Sequence, residues 1–212
     1  MKTEHRHQCL IYDGPPSKKL PLLAAIIKNK MDEGYRCLYL NSPVMVAGMR
    51  STLSAIGIDV TYEIAKASLV LSSEPVTSGN SFNSDLMLGK LEDSLNQSIA
   101  DGYKGLWATG DMSWEFGPQK DFSKLLEYEW GLEELFRRRN QISGICQYHQ
   151  ESLPTEMMRQ GLVSHANIVI NETLSRINPH FLRSKDGIRS DQENAELDKM
   201  ITALCEIREI DY

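Results

Sequence analysis

The chain has 212 residues, which at the usual ~100 to 200 residues per domain corresponds to one domain, with or without an appended helix. Its 41% hydrophobic and 25% charged residues are typical of globular proteins and exclude the disordered, fibrous and collagen-like classes. The 23 Lys and Arg against 29 Asp and Glu give a net charge of −6, which disfavours direct binding to a nucleic-acid backbone.

Short apolar runs that end in turn residues alternate with longer helical patterns along the chain. Strands are predicted at residues 8–12, 35–40, 104–109, 142–148 and 167–170, with a weaker run at 68–71. Helices are predicted at residues 18–33, 45–56, 85–100, 122–139 and 155–164. This alternation predicts an α/β fold with a mostly parallel sheet covered by helices on both faces, because parallel strands need crossover connections.

The last thirty or so residues form a separate pattern. A polar segment at 184–190 is followed by apolar residues at spacings of three and four within 191–210. We therefore divide the chain into a domain at 1–182 and, at 183–212, a linker with a C-terminal amphipathic helix. Two heptads are too few to establish a coiled coil, so we expect the helix to pack back on the domain, with a homodimer through 191–210 as the alternative.

Cysteine usage and hydropathy point to one compartment. The four cysteines are far apart in sequence, which is typical of reduced, buried thiols rather than of a disulfide framework. The N-terminal residues are polar, and no apolar stretch is long enough for a membrane span. We therefore expect a cytoplasmic protein that does not cross a bilayer.

The carboxyl ends of the strands are the expected functional edge, since ligands bind there in open α/β sheets. Tyr12 and Tyr148 end two of the predicted strands, and Asp111 and Trp114 follow a third. An acidic residue at this edge suits a hydrogen bond to a ligand, a metal-bound water or general-base chemistry. The alternatives are that Asp111 caps a turn and that Trp114 belongs to the core.

The turn between the first strand and the first helix occupies the position of a phosphate-binding loop. It departs from that pattern because it lacks the second glycine, has two prolines without amide donors, and has Leu20 where a hydroxyl should follow the lysine. Ordinary ATP hydrolysis is therefore not expected. Two interpretations remain open: a plain turn with solvated lysines, and nucleotide binding that uses Ser17, Lys18 and Lys19 for the phosphates and Asp111 for Mg²⁺.

Two further patterns bear on metals and hydrolysis. His5, His7 and Cys9 alternate, so a strand that extended back to them would place their side chains on one face. No CxxC or HExxH motif accompanies them, and packing is the favoured interpretation over a metal site. Most charges of the helix at 122–139, which carries Glu129, are expected on a solvated face. The sequence has no GxSxG motif for nucleophilic hydrolysis.

Several segments taken together resemble the MEDS domain, a family named for methanogens, methylotrophs and a dichloromethane-responsive regulator. They are His7-x-Cys9-x-x-Tyr12 and residues 36–39, 102–106, 109–114, 126–129 and 144–148, and the resemblance covers most of residues 5–182. It implies a RecA-like fold similar to the circadian KaiC ATPase domains. It also implies a sensory input module for small organic molecules, of the kind that accompanies kinase, PAS or DNA-binding output modules.

The resemblance and the edge positions together give a functional expectation. We expect a non-enzymatic sensory domain that binds a small organic molecule and signals to a kinase or transcription regulator on another chain. The ligand is expected in a crevice between the first and fourth strands, with Tyr12, Trp114 and Tyr148 as walls and Asp111 as polar anchor. The predicted ligand-binding residues are Tyr12, Asp13, Ser17, Lys18, Asp111, Trp114 and Tyr148. No cofactor is required, and ATP with Mg²⁺ or a protein-interaction scaffold are the alternatives.

Overall fold

The structure is a computed structural model, and it describes residues 6–74, 77–78, 81–115, 122–182 and 190–206. Its strands are β1 (His7–Tyr12), β2 (Arg36–Leu40), β3 (Leu69–Ser72), β4 (Thr77–Ser78), β5 (Ser81–Phe82), β6 (Leu106–Asp111), β7 (Ile142–His149), β8 (Asn167–Val169) and β9 (Ser175–Ile177). Its α-helices are α1 (Leu20–Asp32), α2 (Pro43–Ala55), α3 (Val60–Ala65), α4 (Ser84–Ala100), α5 (Met112–Glu115), α6 (Leu125–Arg138), α7 (Thr155–Ser164) and α8 (Asp191–Cys205). Within these ranges, no helix is both long and apolar enough to cross a membrane.

Seven strands form one sheet in the order β3, β2, β6, β7, β1, β8, β9. All neighbouring pairs are parallel except β8 and β9, which are antiparallel. The predicted mostly parallel α/β sheet is therefore confirmed. The β1 strand is the fifth of the seven strands in this order, between β7 and β8, and β7 separates it from β6. The crevice was predicted between the first strand, at 8–12, and the fourth in chain order, at 104–109. These strands are β1 and β6, and they are not neighbours because β7 lies between them.

Helices cover both faces of the sheet, and each face has its own core. Side chains of successive strand residues point to opposite faces. Leu10 and Tyr12 of β1 pack with α1 and α2 on the side that we call the α1 face. Cys9 and Ile11 pack with α4, α6, α7 and α8 on the side that we call the α6 face. The result is the expected three-layer arrangement.

Local sequence signals explain where several helices begin. Ser42 accepts a hydrogen bond from the backbone N–H of Met45 and caps α2. Ser190 and Glu193 form a reciprocal capping box at the start of α8. The first helix begins at Leu20 rather than at the predicted residue 18, because Pro16–Lys19 form a 3₁₀ turn. The short elements α3, α5 and β9 were not predicted, since six residues or fewer carry little periodicity.

The C-terminal helix α8 packs on its own domain. Leu197, Ile201 and Leu204 are buried in the α6-face core. Arg159 of α7 donates two hydrogen bonds to Asp198 of α8, from Nε at 2.7 Å and from the terminal nitrogen at 2.6 Å. The expectation that this helix packs back is confirmed, and the apolar stripe that suggested a dimer is used within the chain. The homodimer through 191–210 stays a prediction.

Candidate functional site

Four ionisable side chains meet in the centre of the α6 face. They are His7 of β1, Glu129 of α6, Cys146 of β7 and His165, which follows α7. We call this group the His–Glu–Cys cluster. Glu129 and His165 are completely buried, and His7 and Cys146 are only 4% and 6% exposed. Burying such groups costs free energy unless each one is paired, so the contacts among them decide what the cluster does.

The ligand-capable atoms of the cluster are close to one another. Glu129 Oε2 lies 3.3 Å from His7 Nε2 and 3.3 Å from His165 Nε2. The sulfur of Cys146 lies 3.6 Å from His7 Nε2 and 3.8 Å from Glu129 Oε2. All four atoms lie within 4.8 Å of one another, so the cluster is able to hold a single metal ion.

A second layer of groups holds the cluster in place. His7 Nδ1 lies 3.0 Å from a carboxylate oxygen of Glu133. His165 Nδ1 donates to the carbonyl oxygen of Gly161 at 2.6 Å. The hydroxyl of Tyr148 donates to Glu129 Oε1, the oxygen that faces away from the histidines. Residue 161 must be glycine for this packing, because a Cβ there would lie 2.3 Å from the Tyr148 ring.

The buried charges shift one another's protonation. Burial alone would raise the pKa of Glu129, but the two histidines and the Tyr148 hydroxyl lower it overall. Burial alone would lower the pKa of His7, yet the carboxylates of Glu129 and Glu133 raise it. Burial and the neighbouring His7 hold the pKa of His165 down to about 4. The surroundings therefore favour the ionised form of Glu129, and of the two histidines they favour the protonated form of His7 and the neutral form of His165.

A separate groove opens on the α1 face at the amino edge of the sheet, and it has a volume of about 180 Å³. It lies between the second half of α1, the first residues of β1, β6 and β7, and the segment at 169–175 that joins β8 to β9. Trp107 and Val169 belong to the apolar core beneath it, and Arg6, Lys30 and Ser143 contribute polar groups to its lining. This groove is at the edge opposite to the one where the sequence placed a ligand.

Comparison with known proteins decides the family. A family model described as MEDS, the MEthanogen/methylotroph, DcmR Sensory domain, matches residues 6–166. The chain belongs to this family. Among curated proteins none matches significantly.

Solved structures confirm the RecA-like fold expected for a MEDS domain. An uncharacterized protein from Pyrococcus horikoshii, crystallised in complex with an unknown peptide, is similar with a TM-score of 0.54 and 13% identity over 81% of each chain. A KaiC-like protein from Pyrococcus horikoshii OT3 is similar with a TM-score of 0.51 and 16% identity, over 78% of this chain and 71% of that one. At these identities the likeness concerns the fold alone.

The structure separates the residues predicted to line one crevice in this MEDS domain. Tyr12 is opposite His149 in the β1–β7 register, and the two rings stack with centroids 5.1 Å apart on the α1 face. Tyr148 therefore points to the other face, where it is fully buried against Glu129. The prediction that Tyr12 and Tyr148 are walls of the same crevice is wrong, because adjacent strand positions alternate between faces.

Asp111 and Trp114 remain near the carboxyl edge. The Asp111 carboxylate accepts hydrogen bonds from the backbone N–H groups of Ser113 and Trp114 at 2.8 and 3.1 Å, and from the Ser113 hydroxyl at 2.5 Å. It therefore caps the turn that begins α5, which is one of its two predicted roles. Burial and then the charge of Asp111 raise the pKa of Tyr12, so these two side chains are neighbours. Trp114 is half-buried and packs against the α6-face core.

The turn at the phosphate-loop position does not form an open cradle of amides. The backbone N–H of Lys18 donates to the carbonyl of Pro15 at 2.9 Å, and the side chains of Ser17 and Lys18 are exposed. Asp13 is also exposed, and its carboxylate accepts from the N–H of Gly14 at 2.7 Å. Asp13 joins His149 and Glu151 in a second group whose ligand-capable atoms lie within 4.8 Å of one another.

The alternating pattern at the N-terminus leads to only one member of the cluster. His7 and Cys9 share the α6 face, as the spacing predicts, and His5 lies outside the described residues. The Cys9 thiol packs in the core and contacts the carbonyl of Asn167 at 3.8 Å, in line with its predicted packing role. Glu129, Cys146 and His165 were missed as site residues.

Proposed function

We propose that this MEDS domain senses a small organic molecule that binds in the amino-edge groove, and that it passes the signal to an output protein on another chain. The observation that carries the proposal is the groove, with an apolar floor and a polar rim in a domain of a sensory family. Its volume of about 180 Å³ is below the ~300–1,000 Å³ usual for drug-sized ligands, which favours a molecule of few atoms.

The lining favours a ligand with one charged or strongly accepting end. Arg6 and Lys30 bring two positive charges to the groove and Glu172 brings one negative charge, which leaves an excess of one positive charge. Lys30 Nζ is also 2.7 Å from a Glu33 oxygen. Ser143 and Ser175 add hydroxyls, and the Trp107 ring supplies an apolar wall. We therefore expect a small anion or dipolar compound with a short apolar body.

Strand β1 links this groove to the rest of the domain. Gln8 of β1 lines the groove and donates to the Ser175 hydroxyl at 3.1 Å, while the preceding residue, His7, belongs to the cluster on the other face. The α8 helix packs against β1 and α7. A ligand that prefers one arrangement of β1 would shift the population of α8 positions offered to a kinase or transcription regulator.

Thermal-shift measurements test this proposal. The purified chain is screened with short carboxylates, methylamines and halogenated methanes, beside a separate arm with ATP and Mg²⁺. A compound that binds the folded state raises the melting temperature, and we expect this rise to be lost in Lys30→Met. Lys28→Met is the matched control, since Lys28 lies on the same helix but outside the groove lining.

The other outcomes favour the alternatives. A rise with ATP and Mg²⁺ that disappears in Lys18→Ala would replace the proposal with nucleotide binding at the first turn. No rise in either arm would favour a scaffold that binds only proteins. A rise with an organic compound that survives Lys30→Met would place the ligand outside the groove.

A further inference from the structure

We propose that His7, Glu129, Cys146 and His165 form a closed, four-coordinate metal site, and that zinc is the ion it takes. The inference concerns the α6 face and does not depend on the ligand groove of the α1 face. Imidazole, thiolate and carboxylate groups together are the ligand set that zinc uses in tetrahedral sites, whereas Mg²⁺ and Ca²⁺ take oxygen ligands.

The distances within the cluster fit such a site. Zinc bonds of about 2.0–2.3 Å to nitrogen, oxygen and sulfur place tetrahedral ligands about 3.3–3.7 Å apart. The two distances from Glu129 Oε2 to the histidine nitrogens are 3.3 Å, and the two distances from the sulfur are 3.6 and 3.8 Å. Four of the six edges of a zinc tetrahedron are therefore present to within about 0.2 Å.

An unpartnered nitrogen points into the same space. Because His165 Nδ1 donates to the Gly161 carbonyl, the neutral ring carries a lone pair on Nε2. This atom is buried and has no hydrogen-bond partner among the described residues, and it lies 3.3 Å from Glu129 Oε2. Two acceptors this close in a dry interior repel each other, and a cation bound to both turns that repulsion into two attractive contacts.

The outer layer matches the requirement that metal ligands be oriented by hydrogen bonds. The Glu133 carboxylate holds His7 Nδ1, the Gly161 carbonyl holds His165 Nδ1, and the Tyr148 hydroxyl binds the oxygen of Glu129 that is not needed as a ligand. Each of the two histidines therefore presents its Nε2 to the centre of the cluster.

Charge balance also favours a dication. Zinc binds cysteine as the thiolate and histidine as the neutral imidazole, so the Cys146 proton leaves to solvent and the site then contains one carboxylate, one thiolate and two neutral imidazoles. Its formal charge is zero, which suits a location that is at most 6% exposed. With four protein ligands there is no open coordination position, so the ion is structural and joins β1, α6, β7 and the segment after α7.

The test uses the full chain, unfolded in urea with a chelator and refolded with or without added Zn²⁺, because a fully buried site loads during folding. Native mass spectrometry should show one zinc per chain, and the melting temperature should be higher with zinc. Refolding with Co²⁺ should give the visible bands of a tetrahedral ion and a near-ultraviolet thiolate-to-cobalt band.

Three variants separate this site from others. Cys146→Ser should remove the thiolate band and weaken zinc binding by about tenfold or more, while circular dichroism checks that it folds. Cys37→Ser is the matched control, since that thiol is equally buried on the α1 face and contacts the Ile27 carbonyl at 3.6 Å. His149→Gln tests the second group, in which His149 is buried and Asp13 and Glu151 are exposed, and it should leave zinc binding unchanged.

Three results would overturn the proposal. The first is a wild-type chain that refolds in zinc and retains none. The second is zinc binding that His149→Gln abolishes and Cys146→Ser leaves intact. The third is a cobalt spectrum of an octahedral ion without a thiolate band.

Discussion

The two faces of the sheet are built on different physical principles. The α1 face buries apolar side chains such as Leu23, Ile27 and Leu53, whose contribution grows with the area removed from water. The α6 face buries a larger apolar core, but it also contains Glu129 and two histidines at its centre. Apolar packing tolerates gradual change, whereas a buried charge is stable only while its partners are present. The α6 face is therefore the place where a single substitution should have the largest effect.

The largest effect is expected for Glu129→Ala. It leaves His7, His165 and the Tyr148 hydroxyl buried without their shared carboxylate, and we expect the free energy of unfolding to fall by about 3–5 kcal/mol. Urea denaturation measures this change in the free energy of unfolding. The control is Glu127→Ala, an exposed position on the same helix, which should change the value by less than about 0.5 kcal/mol. A loss below about 1 kcal/mol for Glu129→Ala would show that the carboxylate is not what holds this face together.

The α1 face should respond through cavity formation alone. Leu53 is fully buried there, and Leu53→Ala should cost about 2–5 kcal/mol through lost transfer energy and the cavity that remains. Its cost should be the same in protein refolded with and without zinc, whereas the cost of Glu129→Ala should be greater in protein refolded with zinc. Denaturation of the two variants under both conditions gives this comparison, and equal zinc dependence would remove the distinction between the faces.

A third prediction concerns the approach of α7 to the cluster. In Gly161→Ala the new Cβ would lie 2.3 Å from the Tyr148 ring, so helix or ring must move at a cost of about 1–3 kcal/mol. The matched control is Gly89→Ala in α4, where a Cβ meets nothing within 4 Å and the better helix former should stabilise by up to about 1 kcal/mol. The melting temperature and the free energy of unfolding in urea should fall for Gly161→Ala and rise for Gly89→Ala.

The smallest effect is expected at the surface pair that fixes α8. Hydrogen bonds from Arg159 lower the pKa of Asp198 below its usual 3.8. The pair therefore contributes stability above pH ~4, and this contribution is lost as pH falls through the depressed pKa of the folded state. Because Asp198 is 41% exposed, we expect less than about 1 kcal/mol, screened by salt.

Unfolding measured between neutral pH and about pH 2 checks this pair. The difference in the free energy of unfolding between wild type and Asp198→Asn should shrink as pH falls. The control is Glu196→Gln, an exposed position on the same helix, whose free energy of unfolding should stay within about 0.5 kcal/mol of wild type. A difference independent of pH would mean that the Asp198 charge plays no part.

The fold followed from the sequence because its main elements are long enough to show a period. The runs that became β1, β2, β6 and β7 are short, apolar and closed by turn residues, and the helices between them repeat every three to four residues. The alternation then allowed only a mostly parallel sheet. The order of its strands was not accessible, because the apolar pattern of a strand does not say which neighbours it pairs with.

The site was harder to predict because topology, not spacing, assembles it. His7 and His165 are far apart in the sequence, and only the position of β1 between β7 and β8 brings them together. One signal was available for Glu129. It stands four residues after Leu125 and three before Leu132, inside the buried stripe of α6, and a carboxylate in an apolar stripe needs a partner. Most charges of this helix were expected on a solvated face, and Glu129 is an exception because it is buried.

The position of β1 between β7 and β8 has a consequence for how the protein is made. The ribosome synthesises β1 before the other strands of this sheet, and its partners β7 and β8 follow about 130 residues or more later. At roughly 5–20 residues per second, this strand waits roughly six to thirty seconds for its neighbours. Throughout that time its unpaired backbone N–H and C=O groups and its apolar side chains are available to other chains and to chaperones. Slow translation or a shortage of chaperones should therefore reduce the yield of this protein more than its final stability suggests.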